Sequence, residues 1–486
     1  MSASQTVRRL DREELQSRYH HAVETLKSHG QEHLLRWWED LAPPSRKHLI
    51  SEIEAIPWTQ LGVLIETHVR RTPVERIPDE LEPPKVLPRV PSNDQEPLYQ
   101  EAIALGEKLI RGGKVAALTV AGGQGTRLGF EGPKGAMTIT PIREKTLFQL
   151  FAETILALRK RYDVDLRWYI MTSAATHQQT VGLLKDHDYY DIPEEDVVLF
   201  SQGMLPTFDF QGKMLMTDKG RLSLAPDGHG GSLKALVASG SLRDMQARGI
   251  EYISYFHVDN PLVRVLDPLF IGLHALTHSE MSSKAATKVD DLEKVGNLCM
   301  SHGHLHVIEY SNFAEDLARS RNADGSRRFD VGSLGIHMID VAFVDRIIAQ
   351  RFDLPYHRAE KMITWMDENG FLRTPSTLNG VKLETFVFDA LPLAKDPLVL
   401  EVDRQEEFSP VKNAKGVDSV ESAMRDQVCR AVRWLEEAGA KIPKGHDGEP
   451  GITVEIAPSY ALTAEDVARR VSKPPVFERG ETIYIY

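Results

Sequence analysis

V-A-A-L-T-V-A-G-G-Q-G-T-R-L-G-F-E-G-P-K-G, residues 115–135, joins an apolar run to a glycine-rich loop, and the reading of the fold starts there. Val115 to Val120 has the length and unbroken apolar character of a strand buried on both faces. Gly122, Gly123 and Gly125 follow it. Glycine accepts positive φ and lets the backbone approach a ligand closely, so such a loop can aim several amides at one point. With Arg127 and Lys134 beside them, those amides form an anion cradle whose natural occupant is a polyphosphate. The plainer alternative is a glycine-rich turn with chance basic neighbours. Two better-known glycine loops are excluded. Counted from Gly123, the sixth position of a G-x-G-x-x-G fingerprint is Leu128, which removes a nicotinamide-dependent dehydrogenase, and no window supplies G-x-x-x-x-G-K-[ST].

Outward from this stretch, strands and helices alternate. Helices are expected at 147–158, 177–185, 232–248 and 268–276, and strands at 168–171, 197–200 and 252–258, the last ending beside Asp259. That alternation predicts an α/β fold with a mostly parallel, doubly wound sheet, whose ligands bind beyond the carboxyl ends of the strands. Residues 282–338 hold more strand than helix and read as a mixed extension. Residues 10–70 carry apolar positions at helical spacing, and the prolines of 72–98 make an extended connector. The expected division is an N-terminal helical region with connector (1–98), a central domain (99–395) and a small C-terminal α+β domain (396–486).

A chain of 486 residues with 42% hydrophobic and 26% charged residues is long enough for two or three domains with a large core. Its net charge of −12 argues against nucleic-acid or anionic-membrane partners. Cys299 and Cys429 are the only cysteines, too few for a disulfide framework or a cysteine zinc site. The N-terminus has no apolar signal core and no run of 18 apolar residues occurs, so a cytoplasmic location is expected. His302, His304 and His306 have metal-like spacing but no adjacent carboxylate, and read with His257 as structural or solvated residues. Nothing in the sequence sets an oligomeric state.

The glycine stretch is one of a series. Q-G-M-L-P (202–206), A-P-D-G-H-G-G (225–231), V-D-N (258–260), E-Y-S (309–311), E-T-F-V-F-D (384–389) and S-P-V-K-N-A (409–414) follow it, and G-Q-E-H-L-L-R-W-W precedes it. In this order the motifs resemble those of the UDP-N-acetylglucosamine pyrophosphorylases, within the UTP-dependent sugar-1-phosphate uridylyltransferases. The resemblance covers roughly residues 25–415. It implies a Rossmann-like nucleotidyltransferase sheet and a reaction in which UTP and a sugar 1-phosphate give a UDP-sugar and pyrophosphate, with Mg²⁺ as cofactor. It further implies Arg127, Lys134 and Lys412 as the catalytic cations on the phosphates. Gly122, Gly123, Gln202, Gly228 and Asp259 would hold the nucleotide, with Asp259 also on the metal. Gly296, Glu309, Phe386 and Phe388 would line the sugar pocket.

Two positions depart from the family pattern there. His229 stands where the family has Asn, as in related UDP-glucose and broad-specificity enzymes, and Ser333 stands where Asn would touch the sugar. An unpaired buried polar group costs about 1–3 kcal/mol, so two lost amides leave the choice of sugar open. N-acetylglucosamine 1-phosphate is favoured, and a UDP-glucose or broad-specificity enzyme is the alternative. A UDP-sugar-binding sensor without catalysis is the reading from another class.

Overall fold

Residues 3–73, 77–350, 353–445, 448–473 and 475–486 are described in the computed structural model. Its central sheet contains, in chain order, β1 (Val86–Leu87), β2 (Val115–Val120), β3 (Trp168–Thr172), β4 (Val197–Ser201), β5 (Tyr252–His257), β6 (Met281–Thr287), β7 (Gly296–Ser301), β8 (His304–Ile308), β9 (Val331–Asp340) and β10 (Val399–Glu401). Across the sheet the order is β1-β10-β6-β9-β5-β2-β3-β4, with β7 paired to β9 and β8 to β7. β5, β2, β3 and β4 run parallel, as do β1, β10 and β6. β9 is antiparallel to both β5 and β6. All six residues of β2 are buried, as a parallel strand covered on both faces requires. The expected α/β class with a mostly parallel sheet is therefore observed, and residues 282–338 supply its antiparallel extension.

Most expected elements fall within a few residues of their positions. The helix expected over 232–248 is two helices, Gly231–Ala238 and Ser241–Ala247, because Gly240 adopts φ +81 and ends the first. Helices Glu96–Arg111 and Pro268–Leu276 touch through glycines. A Cβ on Gly106 would meet the Pro268 carbonyl oxygen and lie 2.7 Å from its carbon, and one on Gly272 would meet the carbonyl of Ala102. Gly106→Ala is expected to cost about 1–3 kcal/mol, read from urea unfolding, because backbone must move to admit the methyl. Unchanged stability would show that the helices separate freely.

Contacts divide the chain differently from the expected boundaries at residues 98 and 395. One unit comprises Met1–Arg76, Gly203–Gly231 and Leu354–Phe386; the other comprises Ile77–Gln202, Ser232–Asp353 and Val387–Tyr486. In the first, buried Gln31 donates to the Gly212 carbonyl (2.8 Å) and accepts from the Met214 amide (2.9 Å). Leu26, Leu34, Leu49, Leu61, Phe208, Met214 and Val381 share that unit's core. Trp38 is packing, stacked on Tyr19 at 4.5 Å. The N-terminal helices thus fold on segments drawn from the middle of the chain. The C-terminal part has a core of its own around Trp434, Leu435, Ile452, Val454 and Val467.

Candidate active site

Four parallel strands deliver the expected phosphate-binding residues to one edge of the sheet. Val120 of β2 is in register with His257 of β5, so the glycine loop and Asp259 leave the sheet side by side. On the other flank, the Ala121 amide donates to Met171 (2.7 Å) and the Gln202 amide to Thr172 (2.8 Å). Gln202 is buried beside Gly122, where a Cβ would overlap its side-chain oxygen and lie 3.3 Å from its Cδ. Ser173 Oγ donates to the Gly122 carbonyl (2.7 Å) and fixes the start of the loop. Among the described residues the Gly122 and Gly123 amides donate no hydrogen bond, which leaves them available to an anion.

The remainder of the loop is folded on itself. Gly125 donates to Gly132 (2.9 Å) and Lys134 to Gly123 (3.0 Å), and Phe130 backbone and ring atoms lie where a Gly125 Cβ would stand, the nearest at 2.7 Å. Arg127 is exposed on the short 3-10 helix Thr126–Leu128. The following turn is pressed against helix Leu147–Tyr162, because a Cβ on Gly135 would enter the Phe148 ring. That contact aims Lys134. Its Nζ donates to Asp259 Oδ2 and to the Val411 carbonyl, both at 3.2 Å.

Burial works against an ionised Asp259, but Lys134, His257 and Lys412 outweigh it and hold the carboxyl below the usual carboxylate range. Burial, together with Lys412 and Lys134, outweighs Asp259 at His257 and keeps that imidazole below its ordinary value. Reading His257 as structural or solvated missed this place beside the cluster. Lys412 is exposed, and its ammonium lies 5.7 Å from the Phe408 ring centroid. The Asp418 carbonyl accepts from the Lys412 (2.7 Å) and Asn413 (2.8 Å) amides. Lys134, Asp259 and the Lys412 segment are thus brought together although some 280 residues separate Lys134 from Lys412.

Gly296 faces Ser333 across β7 and β9, and a Cβ on Gly296 would lie 3.8 Å from a Glu309 carboxylate oxygen. These three expected sugar-pocket residues are neighbours. In the smaller unit, Phe386 stacks between His229 (5.2 Å) and His357 (4.3 Å), and Gly228 adopts φ +87 against the Thr385 backbone. Phe386 and Phe388, both expected in the sugar pocket, lie beyond the end of a strand and in different units. The strand Gly380–Glu384 ends first, because the Thr385 amide donates to Asp227 (2.7 Å) and its carbonyl accepts from Gly230 (2.9 Å). Phe388 is buried on the 3-10 helix Val387–Leu393 of the larger unit.

The histidines at 302–306 surround a tight turn, with His302 (φ +47) and Gly303 (φ +82) at its tip. Burial pushes the Cys299 thiol up to about 12 and the Cys429 thiol up to about 11, which suits packing rather than nucleophilic residues. No helix among the described residues is long and apolar enough to cross a membrane.

Residues 78–432 match the protein family described as UTP–glucose-1-phosphate uridylyltransferase. The chain is 34% identical over 475 residues to the UDP-N-acetylglucosamine pyrophosphorylase of Saccharomyces cerevisiae, covering 93% of this chain and 96% of that one. It is 35% identical over 464 residues to a UDP-N-acetylhexosamine pyrophosphorylase-like protein 1 of Xenopus tropicalis, covering 90% and 91%. The fold is similar to that of the uridine diphosphate N-acetylglucosamine pyrophosphorylase of Trypanosoma brucei, with a TM-score of 0.79 at 24% identity over 96% of this chain and 97% of that one.

Proposed function

The chain belongs to the UTP–glucose-1-phosphate uridylyltransferase family and is a UTP-dependent sugar-1-phosphate uridylyltransferase; from that premise we propose that its preferred sugar is N-acetylglucosamine 1-phosphate and that Lys134, Asp259 and Lys412 form its reacting centre. The observation that carries this reading is the Lys134–Asp259–Val411 cluster at the strand ends, beside the open Gly122 and Gly123 amides. A sugar phosphate oxygen attacks the α-phosphorus of UTP, the bond from that phosphorus to the bridging oxygen breaks, and pyrophosphate leaves. Little covalent chemistry falls to the protein, so orientation and charge neutralisation account for the rate. The loop amides and Arg127 hold the β- and γ-phosphates. Lys134 neutralises the leaving charge, and Lys412 orients the incoming phosphate.

The residues present suit Mg²⁺. An ionised carboxylate at the strand end matches a hard cation that takes one or two protein carboxylates and otherwise keeps water and substrate phosphates. Asp259 would hold it, and the ion would supply Lewis-acid neutralisation of phosphate charge. Preference for the N-acetylated sugar is supported by the yeast relative's named activity. Broader choice is favoured by one observation, the His229 imidazole stacked on Phe386 where the family places an amide. A cytoplasmic location accords with two unpaired cysteines.

Purified protein given UTP, Mg²⁺ and a panel of sugar 1-phosphates is expected to release pyrophosphate, fastest with N-acetylglucosamine 1-phosphate. Equal or faster release with glucose or galactose 1-phosphate overturns the sugar assignment. Silence across the panel overturns the activity.

A further inference from the structure

We propose that Asn260 is a positioning residue that acts through Lys412, an inference resting on the role given to Lys412 above. Asn260 is 3% exposed and both ends of its amide are engaged. Nδ2 donates to the Glu407 carbonyl (2.7 Å), and Oδ1 accepts from the Ser409 amide (3.0 Å) and the Leu262 amide (3.3 Å). One residue earlier, the Asp259 carbonyl accepts from the Val411 amide (2.8 Å). Residues 407, 409 and 411 are thus fastened, every second residue, to Asp259 and Asn260 just past the end of β5. Lys412 is the next residue.

The far side of the same segment is held independently. Glu407 pairs with buried Lys284 (2.5 Å), and Ser409 Oγ donates to Asp426 (2.7 Å). The segment is therefore fixed in place by its own carboxylate and hydroxyl, while Asn260 sets its distance from Asp259. Only a primary amide of this length both donates to one carbonyl and accepts from an amide two residues on. Aspartate would keep the acceptor and place a carboxylate oxygen against the Glu407 carbonyl. Alanine would leave buried backbone groups without partners. An exposed lysine has no rigid side-chain cage, so its aim at a phosphate depends on the backbone beneath it.

The test compares Asn260→Ala, Asn260→Asp, Lys412→Ala and the Asn260→Ala/Lys412→Ala pair in the full-length protein. Asn260→Ala is expected to lower kcat by about 10–100-fold with the KM for UTP little changed, as a small misplacement of a reacting group does. In the Lys412→Ala background the same change is expected to cost less than about threefold, because coupled residues are not additive. Costs that multiply, or an unchanged kcat, overturn the proposal. Asn260→Asp, which keeps the two bonds accepted from Ser409 and Leu262 and loses the one donated to Glu407, is expected to fall between wild type and Asn260→Ala and serves if the alanine variant folds poorly. Amide hydrogen exchange without substrate gives a second reading. Exchange at Ser409 and Val411 is expected to rise in Asn260→Ala while β2 and β5 stay protected, and unchanged exchange removes the clamp. Raised exchange in a protein whose wild type releases no pyrophosphate sustains the clamp and overturns the uridylyltransferase role instead.

Discussion

Lys134→Ala is expected to lower turnover by about 10²–10³-fold, or about 2.7–4 kcal/mol of transition-state stabilisation, the range for losing one preorganised donor to developing charge. The Lys134 side chain is only 18% exposed and its ammonium sits 3.2 Å from Asp259, so no water reproduces its charge at that place. On the proposed assignment uridine binding draws on other groups, and the loss is expected in kcat with a much smaller change in the KM for UTP. Asp259 responds as well. Burial raises its pKa, and without the largest opposing influence its carboxyl moves up toward the ordinary range. The acid limb of the rate profile is therefore expected to shift to higher pH in the variant. Steady-state kinetics from about pH 3 to pH 8, spanning the ordinary carboxylate range of about 3.9, read both effects. Wild-type turnover, or an unmoved acid limb, would remove Lys134 from the reacting centre. Lys134→Arg, which keeps the charge but not its position, is expected to recover only part of the rate.

What the sequence made legible follows from the range of each signal. β2 and its loop are local, a continuous apolar run followed by glycines, and they stand where expected. Asp259 was visible because it ends a strand, whereas the task of Asn260 lies with residues 407 and 409 and no spacing in V-D-N points there. The two-unit division was hidden for the same reason. Gln31 meets residues 212 and 214, and Leu26 shares a core with Val381, pairings that periodicity cannot register. The separation of Phe386 from Phe388 was hidden too, because the two hydrogen bonds at Thr385 that end the strand before Phe386 reach Asp227 and Gly230 far away in sequence. Gly240 was visible, but a lone glycine inside a helical pattern does not by itself say whether the helix bends, ends or continues.

Lys284 shows the same limit, and its replacement is expected to have the largest effect on stability. It lies in β6 with its side chain 1% exposed, held by Asp267 (2.6 Å) and Glu407 (2.5 Å), themselves 8% and 4% exposed. Lys284→Met fills the volume but leaves two buried carboxylates facing each other's charge. Breaking a buried pair in this way costs about 3–5 kcal/mol, more than a mature ion pair contributes, because desolvation is left uncompensated. The pH dependence separates charge from packing. In the wild type, burial raises the Asp267 pKa, but Lys284 and Arg264 outweigh it and hold it below the unfolded value. That contribution is present above the unfolded pKa of about 3.9 and is lost only as pH falls through the lower folded value. In Lys284→Met, Asp267 keeps only Arg264 and the Leu269 amide against the same burial, so its carboxyl is expected to move up; the penalty then grows with rising pH and is relieved by protonation on acidification. Urea unfolding is therefore expected to show a larger deficit at pH 7.5 than at pH 5.5. Adding Asp267→Asn and Glu407→Gln removes both charges, and the amide introduced by the first change still caps helix Pro268–Leu276. This triple variant is expected to regain most of the lost stability at pH 7.5. A deficit equal at both pH values and unrelieved by the triple change would make the cost one of packing alone, and the segment that carries Lys412 would then owe its place to something other than this buried charge.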